Sequence, residues 1–338
     1  TQVRFPPPSG HLATNGTFSL TYAQPVRVFI GQSYLCPTTL RVDPSPDRKE
    51  SMFGYIYKKD AAAIAVILAL CLGVGSFFDY QISSALFNIG SMYGRLIEAA
   101  GELPFELTAS VAGVMLVRAV RPDSRGSKWL AVLGILVNVG LAGYEIVSSL
   151  KVGGKLIAVQ LVLTFVLVIA ANLIVYRLTR TTEPDELTRW ALMVLVVWVA
   201  QAIILNVIVK PLWSRPRMRV IEVTQGLEFQ PWWVIGNPAK WSYIAAGVIK
   251  DGFKSFASGH TAHAAIGLML AGLPAAAFKE EPSLRRVVFW TAAVVAALVA
   301  FGRIVIGAHF LSDVSCGFAL VLALESLAAR IAYPSGVQ

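Results

Sequence analysis

Charged residues are scarce in this chain. Asp, Glu, Lys and Arg make up only 14% of its 338 residues, whereas an ordinary soluble domain carries about 25%. Hydrophobic residues account for 56%, and apolar runs of about 20 residues recur, each long enough to cross roughly 30 Å of hydrocarbon. The composition therefore excludes a soluble globular domain and predicts an all-α polytopic membrane protein.

Cysteine is also rare, with Cys36, Cys71 and Cys316 as its only positions. An odd number of cysteines, two of them inside apolar runs, argues against a disulfide framework and shows no metal-ligand spacing. The chain also lacks a cluster of Asp, Glu, His or Cys that would suggest a metal site. We therefore expect neither a metal nor another cofactor.

The net charge of +9 raises the question of a nucleic-acid partner. However, the basic residues lie in short loops between apolar runs, where determinants of membrane topology and phosphate ligands are found. We expect the lipid bilayer, and no nucleic acid, as the partner of this protein.

The chain divides into three parts. Residues 1–57 contain PPPSG, PSPDRKE and an Asn-Gly pair, which predict an irregular tail. This tail has no basic region followed by an apolar core, so we do not interpret it as a secretory signal peptide. Residues 58–185 hold the N-terminal transmembrane spans, and residues 186–338 form the remainder.

We predict about eight transmembrane spans from the apolar runs. They cover about 61–82, 103–120, 129–150, 156–177, 190–209, 261–278, 287–305 and 313–333. Apolar residues at helical spacing between Leu86 and Ile97 predict an amphipathic helix, either a lip over a pocket or an ordinary connection. The tryptophan-rich stretch 211–257 is expected to lie against the membrane surface.

The sequence FGRIVIGAHFLSD, residues 301–313, closes one apolar run with three polar side chains. His309 and Asp313 are four residues apart and share a face if the turn is helical. An Asp in reach of a His ring fixes its tautomer, and the guanidinium of Arg303 suits a tetrahedral oxyanion such as phosphate. Taken alone, the stretch is equally compatible with a helix cap, an interface histidine and a snorkelling arginine.

Two further stretches decide between these interpretations: KPLWSRPRM, residues 210–218, and KSFASGHTAH, residues 254–263. Together the three resemble the tripartite signature of the type 2 phosphatidic acid phosphatase (PAP2) superfamily. Its pattern is Lys, six residues, Arg-Pro; then Pro-Ser-Gly-His; then Ser-Arg, five residues, His, three residues, Asp. The matching positions here are Lys210 and Arg217, then Ser258, Gly259 and His260, then Arg303, His309 and Asp313. Three flanking positions depart, with Met218 and Ala257 in place of Pro and Gly302 in place of Ser.

The resemblance implies that residues 186–338 form a PAP2-type catalytic core and that the chain is a membrane-bound lipid phosphatase. It implies a phosphohistidine formed on His309, which Asp313 orients, while His260 protonates the leaving oxygen and then activates water. The phosphate would be bound by Lys210, Arg217, Ser258, Gly259 and Arg303. Arg215 and Lys254 are further candidate phosphate ligands. The cations take the place of a metal in this scheme.

Strict alternation of eight spans places Lys210, His260, Arg303 and Asp313 on one side of the membrane. Short loops on the opposite side are richer in Lys and Arg, and the positive-inside rule makes that side cytoplasmic. We therefore expect a plasma membrane protein, bacterial in type, with a cytoplasmic N-terminus and an active site that faces outside.

The substrate is expected to be a lipid phosphate or pyrophosphate, of the undecaprenyl pyrophosphate, phosphatidylglycerol phosphate, phosphatidic acid or lipid A type, because the motifs read phosphate and leave the lipid open. A small soluble phosphate ester stays an alternative. Two other functions remain open: a phosphotransferase that passes the phosphoryl group to a lipid acceptor, and a transporter that only binds an anion. Scattered glycines without paired broken helices argue against the transporter.

Overall fold

The computed structural model describes residues 58–152, 157–278 and 281–333, so the predicted tail 1–57 lies outside the described residues. Within these ranges the protein is helical and contains no β-strand. This confirms the all-α architecture expected from the composition.

The described ranges contain twelve α-helices, which we number in chain order. They are α1 Lys58–Leu86, α2 Met92–Ala100, α3 Leu103–Arg118, α4 Arg125–Val152, α5 Ile157–Leu178, α6 Pro184–Ile203, α7 Lys210–Trp213, α8 Met218–Ile221, α9 Lys240–Ala245, α10 Gly259–Ile266, α11 Pro282–Val305 and α12 Leu311–Ala332. A π-helical segment, Ile204–Val209, joins α6 to α7.

Seven helical segments of the described chain are long and apolar enough to cross a membrane. They correspond to seven of the eight predicted spans. The remaining predicted span, 261–278, is not a continuous α-helix: α10 ends at Ile266, and 3-10 segments follow at Gly267–Gly272 and Ala275–Phe278. Glycines at 267 and 272 and Pro274 in this stretch disfavour a continuous α-helix.

Residues 259–278 nevertheless extend from one end of the helical bundle towards the other. His260 and Arg303 both contact Glu98, so the N-terminus of α10 and the C-terminus of α11 lie at the same end. Helix α11 has 24 residues and is about 36 Å long, which puts Pro282 at the far end. The chain must therefore return to that end between His260 and Pro282, and the described part of this path has an irregular helical form.

Helix α3 lies at the centre of the bundle. Its span is 61% buried inside the protein, against 11% to 44% for the other six. Phe105, Met115 and Leu116 are fully covered. Trp190 of α6 donates from Nε1 to the carbonyl of Met269 at 3.0 Å, which ties this irregular stretch to α6.

Helix α2 lies on the C-terminal end of α11, as a lip over the pocket would. The hydroxyl of Tyr93 donates to the carbonyl of Leu298, and the amide of Asn88 donates to Val305 at 2.7 Å. A Cβ at Gly302 would lie 2.6 Å from Cγ1 of Ile97. The glycine at this position, where the PAP2 pattern has Ser, therefore gives α2 the room to approach.

We predict that Gly302→Ala lowers the free energy of unfolding by about 1–3 kcal/mol, because the new methyl group overpacks against Ile97. Thermal unfolding of the purified protein in detergent measures the change. Gly73→Ala in α1 is the matched control, since a Cβ there meets nothing within 4 Å. Equal effects of the two substitutions would contradict this account of the α2–α11 contact.

Candidate active site

The three motif stretches meet at one end of the bundle through backbone hydrogen bonds. The amide of Arg217 donates to Gly252 at 2.8 Å, and the amide of Ser255 donates to Arg215 at 3.0 Å. The amide of Ser258 in turn donates to the carbonyl of Asp313 at 3.0 Å. The loop after α7, the loop before α10 and the start of α12 are thus held as one unit.

His309 follows α11 and is almost completely buried. Its Nδ1 lies 2.5 Å from the carbonyl oxygen of Ser255. A carbonyl only accepts hydrogen bonds, so Nδ1 carries the hydrogen and Nε2 keeps its lone pair. Burial, together with the charges of Arg217 and Arg303, lowers the pKa of His309 to about 3. At neutral pH the imidazole is therefore neutral, as a nucleophile must be.

Asp313 does not make the direct hydrogen bond to His309 that we expected from the sequence. Its Oδ2 is 3.8 Å from Nδ1 of His309, beyond hydrogen-bond distance. The carboxylate instead accepts from Ser255 Oγ at 2.6 Å, from the Phe310 amide at 2.9 Å and from Arg215 Nη1 at 2.5 Å. Asp313 orders the loop whose carbonyl holds His309, and so acts on the imidazole through Ser255.

Arg215 is a fully buried bridge between two carboxylates. It donates from Nη1 to Asp313, and from Nη2 to Asp79 of α1 at 2.9 Å. Its Nε donates to the carbonyl of Gln230 at 2.7 Å, and its guanidinium lies 4.3 Å from the ring centre of Phe310. The prediction of Arg215 as a phosphate ligand is therefore corrected, because its donors are taken up by protein groups in the interior.

Arg303 and Arg217 carry buried donors that protein groups do not satisfy. In the described part of the chain, Nε and Nη1 of Arg303 and Nε of Arg217 have no hydrogen-bond partner. Glu98 of α2 lies 3.5 Å from Nη1 of Arg303, and Asp251 accepts from Nη1 of Arg217 at 2.6 Å. Unsatisfied buried guanidinium donors next to a neutral imidazole fit a tetrahedral oxyanion.

Lys210 and Gly259 are neighbours at the same end. A Cβ built on Gly259 would lie 3.0 Å from Nζ of Lys210, so glycine leaves the ammonium group room beside the N-terminus of α10. Nζ donates to Asn206 at 2.9 Å. Ser258, whose hydroxyl we expect to bind phosphate, is the N-cap of α10, with Oγ 3.0 Å from Oγ1 of Thr261.

His260 stands next to two acidic residues that precede α3. Its Nδ1 lies 3.4 Å from Oε1 of Glu102, and its Nε2 lies 3.4 Å from the carbonyl oxygen of Glu98. His263, one turn further along α10, has Nδ1 3.1 Å from the same Oε1 of Glu102. The ring of His263 stacks on Phe105 with centres 4.7 Å apart.

Lys254 lies at the rim of the site rather than inside it. Its side chain is half exposed, and Nζ is 3.5 Å from Asp251. Although burial of Asp251 raises its pKa, Arg217 and Lys254 together hold the pKa of that carboxyl below its usual value. Lys254 thus pairs with an anion that also pairs with Arg217. Among the described residues, no group of three or more His, Cys, Asp or Glu is arranged to hold a metal ion.

Residues 190–335 match the family model of the PAP2 superfamily. This part of the chain belongs to that superfamily. Membership implies phosphatase-type activity on phosphate esters. No curated protein and no solved structure gave a significant match to the chain.

Three site residues that the motifs did not reveal come from outside the PAP2 segment. Asp79 lies in α1, Glu98 in α2, and Glu102 just before α3. The signal available in the sequence was a carboxylate within or beside an apolar run, which is expensive in a membrane and often functional.

We predict that Arg215→Gln destabilises the protein by about 3–5 kcal/mol, since it leaves two buried carboxylates without their cation. Thermal unfolding in detergent is the measurement. Adding Asp79→Asn should restore part of the loss because it removes one of the two charges. The control is Arg121→Gln, which breaks an exposed ion pair to Asp185 and should cost less than about 1 kcal/mol. A small effect of Arg215→Gln would contradict the bridging role.

Proposed function

We propose that this protein is an integral membrane phosphatase that hydrolyses a lipid phosphate or pyrophosphate through a phosphohistidine on His309. The observation that carries the proposal is the pair of buried, unsatisfied donor groups on Arg303 and Arg217 beside the neutral imidazole of His309. In this proposal the site supplies three features needed for phosphoryl transfer: a cationic cradle, a neutral nucleophile and a second histidine for proton transfer.

The nucleophile in this proposal is Nε2 of His309. The contact of Nδ1 with the Ser255 carbonyl leaves the Nε2 lone pair free. A phosphate dianion repels an anionic nucleophile, whereas a neutral imidazole approaches it without that penalty. In the first step the Nε2–P bond forms and the bond from phosphorus to the lipid oxygen breaks.

The cradle consists of Arg303, Arg217 and Lys210, with the N-terminus of α10 beside Lys210. These cations stabilise the charge that spreads over the phosphoryl oxygens in the transition state. The partial positive charge of the α10 N-terminus acts in the same direction, and Gly259 lets the backbone approach closely. We propose that these groups do the work that a metal does in other phosphatases.

A groove with a mainly apolar lining supports a lipid substrate over a small soluble ester. It has a volume of about 310 Å³, within the range of ligand sites. Its lining is Phe105, Leu133, Leu136, Val137, Gly140, Leu141, Tyr144, Trp198 and His263. At one end Tyr144 donates a hydrogen bond to Glu102, which lies 3.4 Å from His260. The groove therefore reaches a side chain that contacts the carboxylate beside the proposed proton donor.

The proposed location is the outer surface of a bacterial plasma membrane, with the N-terminus in the cytoplasm. Support comes from the excess of Lys and Arg in the short loops of the side opposite the motifs. The basic residues on the motif side are engaged at the site, where Arg215 and Arg217 pair with carboxylates. A phosphate carried by a membrane lipid lies at this level of the bilayer.

The purified protein in detergent should release phosphate from a panel of lipid monophosphates and pyrophosphates. The activity should survive EDTA, because the cations of the chain form the cradle, and vanadate should inhibit it by adopting the five-coordinate geometry of phosphoryl transfer. His309→Ala should lose turnover and still bind a phosphate analogue. A strict requirement for Mg²⁺, or near-normal turnover by His309→Ala, would overturn the proposed mechanism.

The groove predicts a difference between two glycines of α4. A Cβ at either Gly140 or Gly143 meets nothing within 4 Å, but only Gly140 lines the groove. Gly140→Leu should lower kcat/KM for a long-chain lipid phosphate by on the order of tenfold, the equivalent of about 1.4 kcal/mol. The reason is steric. The lipid chain gains little hydrophobic free energy when it moves from the hydrocarbon of the bilayer into an apolar groove, so the groove selects the chain by its shape.

The same Gly140→Leu protein should turn over p-nitrophenyl phosphate, which has no chain, as fast as the wild type. Gly143→Leu should leave both substrates unaffected. Equal kcat/KM of the two variants on the long-chain substrate would show that the groove does not receive the lipid chain.

A further inference from the structure

Glu102 provides a carboxylate to two histidines of the PAP2 segment, although it lies outside that segment itself. Its Oε1 is 3.4 Å from Nδ1 of His260 and 3.1 Å from Nδ1 of His263. Its Oε2 accepts a hydrogen bond from the hydroxyl of Tyr144, and the Glu102 side chain is only 14% exposed. The carboxylate is therefore fixed from one side by α4 and faces α10 with the other oxygen.

The surroundings of His260 disfavour its protonated form. Burial, Arg303 of α11 and the neighbouring His263 and His309 lower the pKa of His260 well below its usual value, and Glu102 is the group that acts in the opposite direction. Glu98 presents its backbone oxygen to Nε2 of His260, while its carboxylate pairs with Arg219 at 2.9 Å. Without a carboxylate at Nδ1, a protonated His260 would face Arg303 with no compensating charge. Glu102 faces Nδ1 of His260, on the side of the ring away from Glu98, and the carboxylate of Glu98 lies near Arg303.

We propose that Glu102 is a positioning residue for the reaction: it faces Nδ1 of His260 and stabilises the protonated form of the ring when the phosphate is bound, so that Nε2 delivers its proton to the leaving oxygen. This inference rests on the proposed phosphatase function. A histidine held by a carboxylate at one nitrogen is oriented and more basic at the other, which is the arrangement that general acid–base catalysis requires. His263 shares the carboxylate one turn further from the site.

The proton balance of the two steps follows. When Nε2 of His309 attacks phosphorus, the lipid oxygen leaves and takes the proton from Nε2 of His260, giving the free alcohol. Neutral His260 then accepts a proton from water as the water oxygen attacks phosphorus and the N–P bond of His309 breaks. Inorganic phosphate leaves, His260 is protonated again, and Glu102 stays ionised throughout.

The test is Glu102→Gln, which keeps the size and the contact to Tyr144 and removes the charge. The burst rate of phosphoenzyme formation should fall by on the order of 10²-fold for a lipid monophosphate, whose alkoxide needs the proton. The burst rate should change little for p-nitrophenyl phosphate, because its leaving group does not need the proton. Without the carboxylate, the imidazole of His260 loses its proton at a lower pH. The basic limb of the pH profile of the lipid burst rate should therefore move to lower pH.

Two further variants separate this role from a merely structural one. Glu102→Asp keeps the charge and should retain the basic limb and most of the lipid burst rate, even if Glu102→Gln fails to fold. Tyr144→Phe removes the second contact of the carboxylate but keeps its charge, so it should lower the lipid burst rate only slightly and leave the basic limb in place. Equal losses of both substrates in Glu102→Gln, an unmoved basic limb, or an Asp variant as impaired as the Gln variant would overturn the inference.

The outcomes also separate this inference from the proposed function. If the wild-type protein releases no phosphate from either substrate, the phosphatase function fails and the role of Glu102 fails with it. If the wild type turns over both substrates and Glu102→Gln does not discriminate between them, the phosphatase function stands and the role of Glu102 alone is rejected.

Discussion

The guanidinium of Arg215 holds the site together by sharing its donors between Asp313 and Asp79. All three side chains are removed from solvent, so both carboxylates depend on the one guanidinium for charge compensation. Asp313 is thereby fixed, and with it Ser255, whose carbonyl sets the tautomer of His309. Asp79 comes from α1, so the first span of the chain is part of the support of a site whose motifs lie between residues 210 and 313.

The positive charges around the proposed phosphate position are only partly compensated by carboxylates. Arg303 and Arg217 keep donors without hydrogen-bond partners in the described residues, whereas Glu98 and Asp251 compensate only part of their charge. The cradle is thus held together by carboxylates at its edge and has capacity left for an anion. Helix α2 contributes this compensation because Gly302, the departure from the PAP2 pattern, allows it to approach α11.

Much of this architecture is predictable from the sequence, for a physical reason in each case. Span-length apolar runs give seven of the helices, and motif spacing gives the region of the site. The failures have physical reasons too: Gly267, Gly272 and Pro274 break the predicted helix after Ile266, and the side chain of Arg215 turns inward to two carboxylates. Long-range partners such as Asp79 and Glu102 carry no local pattern, because their role arises only when separate helices meet. Spacing placed Asp313 on the same turn as His309, but three stronger donors compete for its oxygens.

The central claim is that His309 accepts the phosphoryl group, and it is tested most directly by trapping the intermediate. The protein would be mixed with a phosphate ester carrying a labelled phosphoryl group, quenched under conditions that preserve phosphohistidine, digested and mapped by mass spectrometry. The account predicts label on His309, lost on acid treatment and absent in a His309→Ala protein. Label on another residue, or rapid phosphate release by a protein that never becomes labelled, would contradict it.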